Sequence, residues 1–170
     1  CSDGVILIWD LARGVVARVI GDISKGLAEV RDVAFSSDGK SIYACHEGES
    51  VVNEYKLEDG SLVRTLKGHK KGISKLSANP KAPAIALAGT GLKVMEVAGG
   101  NKRKLDAHFT GGAKCLTFTQ CGRYLVCCAH DSQEVLLFDI HADASSTSPL
   151  CVLSCEDDVS KLITRSNNEQ

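Results

Sequence analysis

Five histidines, eight cysteines and a segregated set of lysines are the side chains here that could do chemistry. A serine hydrolase would need a nucleophile on a sharp turn written Gly-x-Ser-x-Gly, and no such element occurs. Gly89-Thr90-Gly91 and Gly111-Gly112 read as loops that open no helix, so no helix N-terminus is offered to a phosphate. Zinc wants close pairs of ligands, normally two pairs, and Cys151 and Cys155 form one loose pair without a second. Cys45, Cys115, Cys127 and Cys128 lie inside apolar runs, where a thiol acts as a small hydrophobe. Structural thiols in a reducing compartment are therefore expected. His69 and His108 fall at equivalent places in a repeating pattern, so a structural role is expected of both. The reading is of a non-enzyme, with no catalytic residue, no metal ligand and no cofactor.

The lysines are the more informative set. Net charge is −1, yet residues 61–114 carry eleven basic and two acidic side chains, and the flanking thirds are acidic. Lys67, Lys70 and Lys71 surround Gly68-His69, and Lys102, Arg103 and Lys104 form a second group on what reads as an outermost strand. A middle third of this kind suits a polyanion. Lysines also keep sheet edges from pairing with other chains. Few aromatics interleave with them, which argues against stacking on bases. These six residues are the candidate contacts for RNA or a partner protein.

The elements that carry these residues are short strands. Val5 to Asp10 is apolar on both faces, as in a strand buried from two sides. Complete units follow, each with four strand-like runs separated by turn signals such as Ser37-Asp38-Gly39 and Glu58-Asp59-Gly60. Trp9, Tyr55, Met95 and Phe138 recur at equivalent third-strand positions, about 40 residues apart. That period, with four strands per unit, is the sequence signature of a β-propeller. One four-stranded sheet cannot cover both of its faces alone, and stacked sheets cover each other.

Gly68-His69, Trp9-Asp10, Phe138-Asp139 and the SSDGK loop resemble the WD-repeat family over nearly the whole chain. In that family a histidine between blades, a strand Ser or Thr, a turn Asp and a Trp form a hydrogen-bonded set. The resemblance implies structural roles for Trp9, Asp10, Tyr55, Gly68, His69, His108, Asp131, Phe138 and Asp139. No unit carries the whole set: the last has His108, Asp131 and Phe138, and the middle one has His69 without a turn acid. Blade cohesion is therefore expected to rest mainly on apolar packing. The run from VVNEYKLEDG through LLFDI is also similar to the propeller family of the fifth Utp protein, WD-repeat protein 43. This narrower resemblance implies a nucleolar scaffold in the UtpA assembly of the small-subunit processome, holding other propeller subunits and pre-ribosomal RNA.

The expected fold class is all-β, a partial propeller of about four blades in an open arc, with antiparallel four-stranded sheets. The expected divisions are a blade fragment at 1–21, blades at about 28–67, 72–106 and 112–154, the start of a further blade at 158–164, and a polar tail at 166–170. Cys1 at the start and a sole methionine at Met95 suggest a segment of a longer protein, and closure into a four-bladed ring is the alternative to the arc. The expected function is a scaffold in ribosome biogenesis, in the nucleus and nucleolus, without membrane or small-molecule substrate. The alternative is a general adaptor, a ubiquitin-ligase substrate receptor or signalling scaffold, holding peptides near turn residues such as His46 and Glu47.

Overall fold

Alternating apolar runs of four to seven residues, cut by Gly and Asp turns, can satisfy their backbone groups only by pairing with one another. The computed structural model describes residues 4–21, 28–109, 112–130, 132–143, 145–157, 159 and 161–164, and among these it holds fourteen strands. The first sheet contains β1 (Ile6–Asp10) and β2 (Val15–Ile20). The second contains β3 (Val30–Phe35), β4 (Ser41–His46), β5 (Val51–Lys56) and β6 (Leu62–Lys67). The third contains β7 (Lys75–Ala78), β8 (Ala84–Ala88), β9 (Gly91–Glu96) and β10 (Lys102–His108). The fourth contains β11 (Ala113–Phe118), β12 (Tyr124–Ala129), β13 (Glu134–Asp139) and β14 (Cys151–Ser154).

Each strand pairs antiparallel with its sequence neighbour within a sheet. β3 lies against β7, and β7 against β11, so the first strand of each complete sheet is its inner edge. The result is a partial β-propeller. Three apolar clusters fill its three joints. Ile6, Ile20, Ile42 and Ala44 join the first sheet to the second. Tyr43, Cys45, Val52, Leu76, Leu87 and Met95 join the second to the third. Leu92, Val94, Leu105, Leu125, Cys127 and Phe138 join the third to the fourth.

Two expectations need adjustment. β10 continues to His108, past the expected blade end at 106. The strand expected over Val159–Thr164 is not formed at 161–164. A strand is held by a ladder, and no described segment pairs with this one. Thr164 instead donates its Oγ1 hydroxyl to the Phe118 carbonyl at 3.0 Å.

Candidate functional site

The link between the second and third sheets passes over the end of β4–β5. The amides of Gly68 and His69 both donate to the Ser50 carbonyl, at 3.0 and 3.1 Å. Gly68 is buried there, and a methyl group in its place would sit 2.7 Å from Leu87 Cδ1 and 2.8 Å from Ile73 Cδ1. A side chain there would force the buried tips of Leu87 and Ile73 to shift. His69 turns inward, with Nε2–H donating to the Leu87 carbonyl at 3.1 Å. Burial holds its pKa below 6.5, and the charges of Lys93 and Lys102 push the same way. Lys70 and Lys71 follow on the exposed side of the link.

The pairing of β9 with β10 supplies the facing wall. Lys104 stands directly opposite Lys93, and Lys102 directly opposite Met95. Directly opposed residues share a sheet face, so Lys93, Lys102 and Lys104 share the face that Met95 presents to the second sheet. A cleft of about 480 Å³ opens between the link and this face. Lys70, Lys71, Lys93, Lys104 and His69 line it with Thr90 and Gly91, and no carboxylate is among its described lining. Lys93 Nζ donates to the Gly68 carbonyl at 3.2 Å. Its pKa is lowered, first by burial, then by the charges of Lys102, Lys70 and Lys104. Members of the two basic groups of the sequence, Lys70 and Lys71 from one and Lys104 from the other, thus meet around Lys93, which belongs to neither group. Its signal was available: Lys93 lies two residues before Met95, hence on the same strand face.

Arg103 and Lys67 do not join. Alternation turns Arg103 to the opposite face, beside Val94, where its guanidinium donates to the carbonyls of Ile140 at 3.0 Å, Ala142 at 3.1 Å and Ser146. It clamps the loop of the next sheet, which places it at the joint between sheets and away from the cleft. Lys67 is exposed at the end of β6 and does not line the cleft. His46, expected on a peptide-binding rim, is buried, with Nδ1 3.7 Å from Glu49 Oε2, so it presents no surface to a partner. Glu47 is exposed and pairs with Arg31.

The repeat positions divide by what flanks them. Met95 and Phe138 are each 1% exposed and Tyr55 is partly buried, all three packed toward the preceding sheet. Trp9, at the equivalent place, is 54% exposed because no described sheet precedes its own. The acids beside them close turns. Asp10 Oδ1 accepts from the amides of Ala12 and Arg13 at 3.0 and 3.1 Å. Asp139 accepts from the His141 amide at 2.9 Å and from Arg123 at 2.8 and 3.1 Å, and its carboxyl is held below the usual range chiefly by Arg123. His108 pairs through its backbone with Gly91, and Asp131 lies outside the described residues.

Polar joints unread in the sequence tie the sheets together. Asp32 Oδ2 accepts from the Leu76 amide at 3.0 Å, although burial pushes its carboxyl pKa up. Ser77 Oγ accepts from the Phe118 amide at 3.3 Å. Asn79, 3% exposed, donates to the Gly122 carbonyl at 2.7 Å and accepts from the amides of Lys81 and Ala82 at 2.8 and 3.2 Å. Asn79-Pro80 signalled a loop, but nothing local signalled a partner in the next sheet. Apolar packing still fills each joint, and these bonds set its register. The thiols of Cys45 and Cys127 are buried and pushed up to about 12, which removes them as nucleophiles.

The WD domain, G-beta repeat family matches residues 99–133. The match begins before β10 and runs through β12, so the repeat is staggered against the sheets: it takes the outer strand of the third and the inner strands of the fourth. This repeat therefore spans two adjacent sheets. The match and the stacked antiparallel sheets support a WD-repeat propeller, and WD repeats in general serve as scaffolds for protein–protein interaction. No curated protein matches the chain.

Proposed function

We propose that this chain is a non-catalytic scaffold that holds protein partners during ribosome biogenesis, within the small-subunit processome of the nucleolus. The observation that carries the scaffold reading is the WD repeat stapling adjacent sheets, which leaves surfaces rather than a reaction centre. Three of the side chains that could react are engaged in the structure: His69 on a backbone carbonyl, and Cys45 and Cys127 as buried thiols. The pathway rests on the sequence resemblance to the fifth Utp protein.

Affinity purification of the full chain from its own cells tests this. Recovery of processome subunits supports the reading, and nucleolar staining is expected alongside. Recovery of ubiquitin-ligase or signalling subunits instead would transfer the assignment to a general adaptor.

A further inference from the structure

Two thiols meet across the fourth sheet. Cys115 on β11 stands directly opposite Cys128 on β12, so the two share a sheet face. The Cys128 thiol donates a hydrogen bond to the Cys115 side chain, and both residues are reduced. Alternation turns Cys127 the other way, into the joint with the third sheet. We infer that Cys115 and Cys128 are a redox-reversible dithiol, closed to a disulfide by a small oxidant of the glutathione disulfide class. This goes beyond the protein-scaffold reading and does not depend on it.

The backbone spacing suits the bond. The Thr119 amide donates to the Tyr124 carbonyl at 2.9 Å, which makes those two a hydrogen-bonded pair. Pairs alternate along an antiparallel ladder, so Thr117–Val126 and Cys115–Cys128 are hydrogen-bonded pairs too, with Cα atoms about 5.5 Å apart. A disulfide spans about 4.4–6.8 Å between Cα atoms. The Cβ atoms start about 4.5–5.5 Å apart and must close to about 3.5–4.5 Å. The ladder has an irregularity at Lys114, between Ala113 and Cys115, which lets this end of β11 shift. A bond closed under strain is the more easily reduced, as reversibility requires.

The two thiols divide the work. Cys115 is partly exposed and lines a cleft of about 500 Å³ with Lys75, Lys114, Lys161 and Asp32. Reactive cysteines sit in such electropositive, partly open surroundings, and the three lysines attract an anionic oxidant. Cys128 is 0% exposed, so the oxidant meets Cys115 first. The Cys115 thiolate attacks one sulfur of glutathione disulfide. A Cys115–glutathione bond forms, the S–S bond of the oxidant breaks, and the first glutathione leaves with the proton that Cys115 gave up. Burial, then the charge and the hydrogen bond of Cys115, push the Cys128 pKa up. Capping Cys115 removes the last two causes. The Cys128 sulfur then attacks Cys115 Sγ, and the second glutathione leaves with the Cys128 proton. Two thiols have lost two electrons, and one disulfide has become two thiols.

The test equilibrates the full purified chain in mixtures of reduced and oxidised glutathione, caps the remaining thiols with N-ethylmaleimide and maps the peptides by tandem mass spectrometry. The Cys115–Cys128 disulfide is expected in oxidising mixtures and is lost on return to excess reduced glutathione. Cys121→Ser, at an exposed thiol outside the pair, leaves it unchanged. Cys115→Ser abolishes it. Cys128→Ser abolishes it and traps glutathione on Cys115, because nothing then displaces the adduct. Absence of this disulfide in every mixture overturns the inference and leaves the two thiols as apolar filling. Its appearance only in urea-unfolded chain, or its persistence in excess reduced glutathione, overturns it as well. These readings come from the unsubstituted chain and stand whether or not a variant folds. A folded Cys128→Ser chain with no glutathione on Cys115 also overturns it, since Cys115 would not be the attacking thiol.

Discussion

The third sheet and the first are built from similar residues and have opposite fates. β8 is AIALA, and Ile85 through Ala88 are buried without exception. β2 is VVARVI, and of its apolar residues only Ile20 is buried. The third sheet has a neighbour on each face, through the clusters around Leu87 and around Leu92. The first has a described neighbour on one face only, through Ile6 and Ile20. Composition does not separate them; a second neighbour does. A blade's stability is thus a property of its stack.

That contrast can be broken most directly at its centre. Leu87→Ala is expected to cost about 2–5 kcal/mol, as for other large-to-small core changes. Leu7→Ala, in the first sheet, stays within about 0.5 kcal/mol. Equal shifts in denaturant midpoint for the two would remove the comparison. Backbone proximity gives the next effect. A methyl at Gly89 would lie 2.5 Å from the Gly72 carbonyl oxygen, whereas one at Gly91 meets nothing nearer than 3.6 Å. Gly89→Ala should cost about 1–3 kcal/mol by overpacking, and Gly91→Ala much less, by thermal unfolding.

The polar joint comes third. Asn79→Ala strands the Gly122 carbonyl and two amides, at about 1–3 kcal/mol. Asn101→Ala, exposed in the same sheet, is near neutral. A smaller effect belongs to His69. Its folded pKa lies below 6.5, so the unfolded chain binds the proton first. The stability tied to the neutral ring is fully present above pH 6.5 and is lost as pH falls through the folded value. His69→Gln should flatten the fall in melting temperature between about pH 8 and about pH 5. Asp32 works in the opposite sense, because its folded pKa is raised: its contribution is present below 3.8 and lost as pH rises through the folded value. The smallest change is optical. Trp9, the sole tryptophan, is already half in water, so its emission should shift little on unfolding. A large red shift would mean that the outer face of the first sheet is covered.

Much of the architecture was legible. The 40-residue spacing of Trp9, Tyr55, Met95 and Phe138 and the turn signals between them located the sheets. The candidate site was half legible. Lys70, Lys71, Lys102 and Lys104 stand out as basic clusters in the sequence, but strand alternation sends their neighbour Arg103 to the other face. Lys93 stands alone in sequence and joins them only in the fold. Asn79 carries a loop signal, whereas its partner at Gly122 lies in another sheet.

By itself the chain determined most of the strands, though not the end of β10 or the segment at 161–164, and which side chains alternate onto each face, because pairing and the period of two act between near neighbours. Tertiary structure alone decided which faces are covered and which charges meet. Lys70 and Lys93 come together only because one sheet docks on the next at a set offset, and Trp9 is exposed only because its face has no described neighbour. Both depend on residues far away along the chain, beyond the reach of any local pattern.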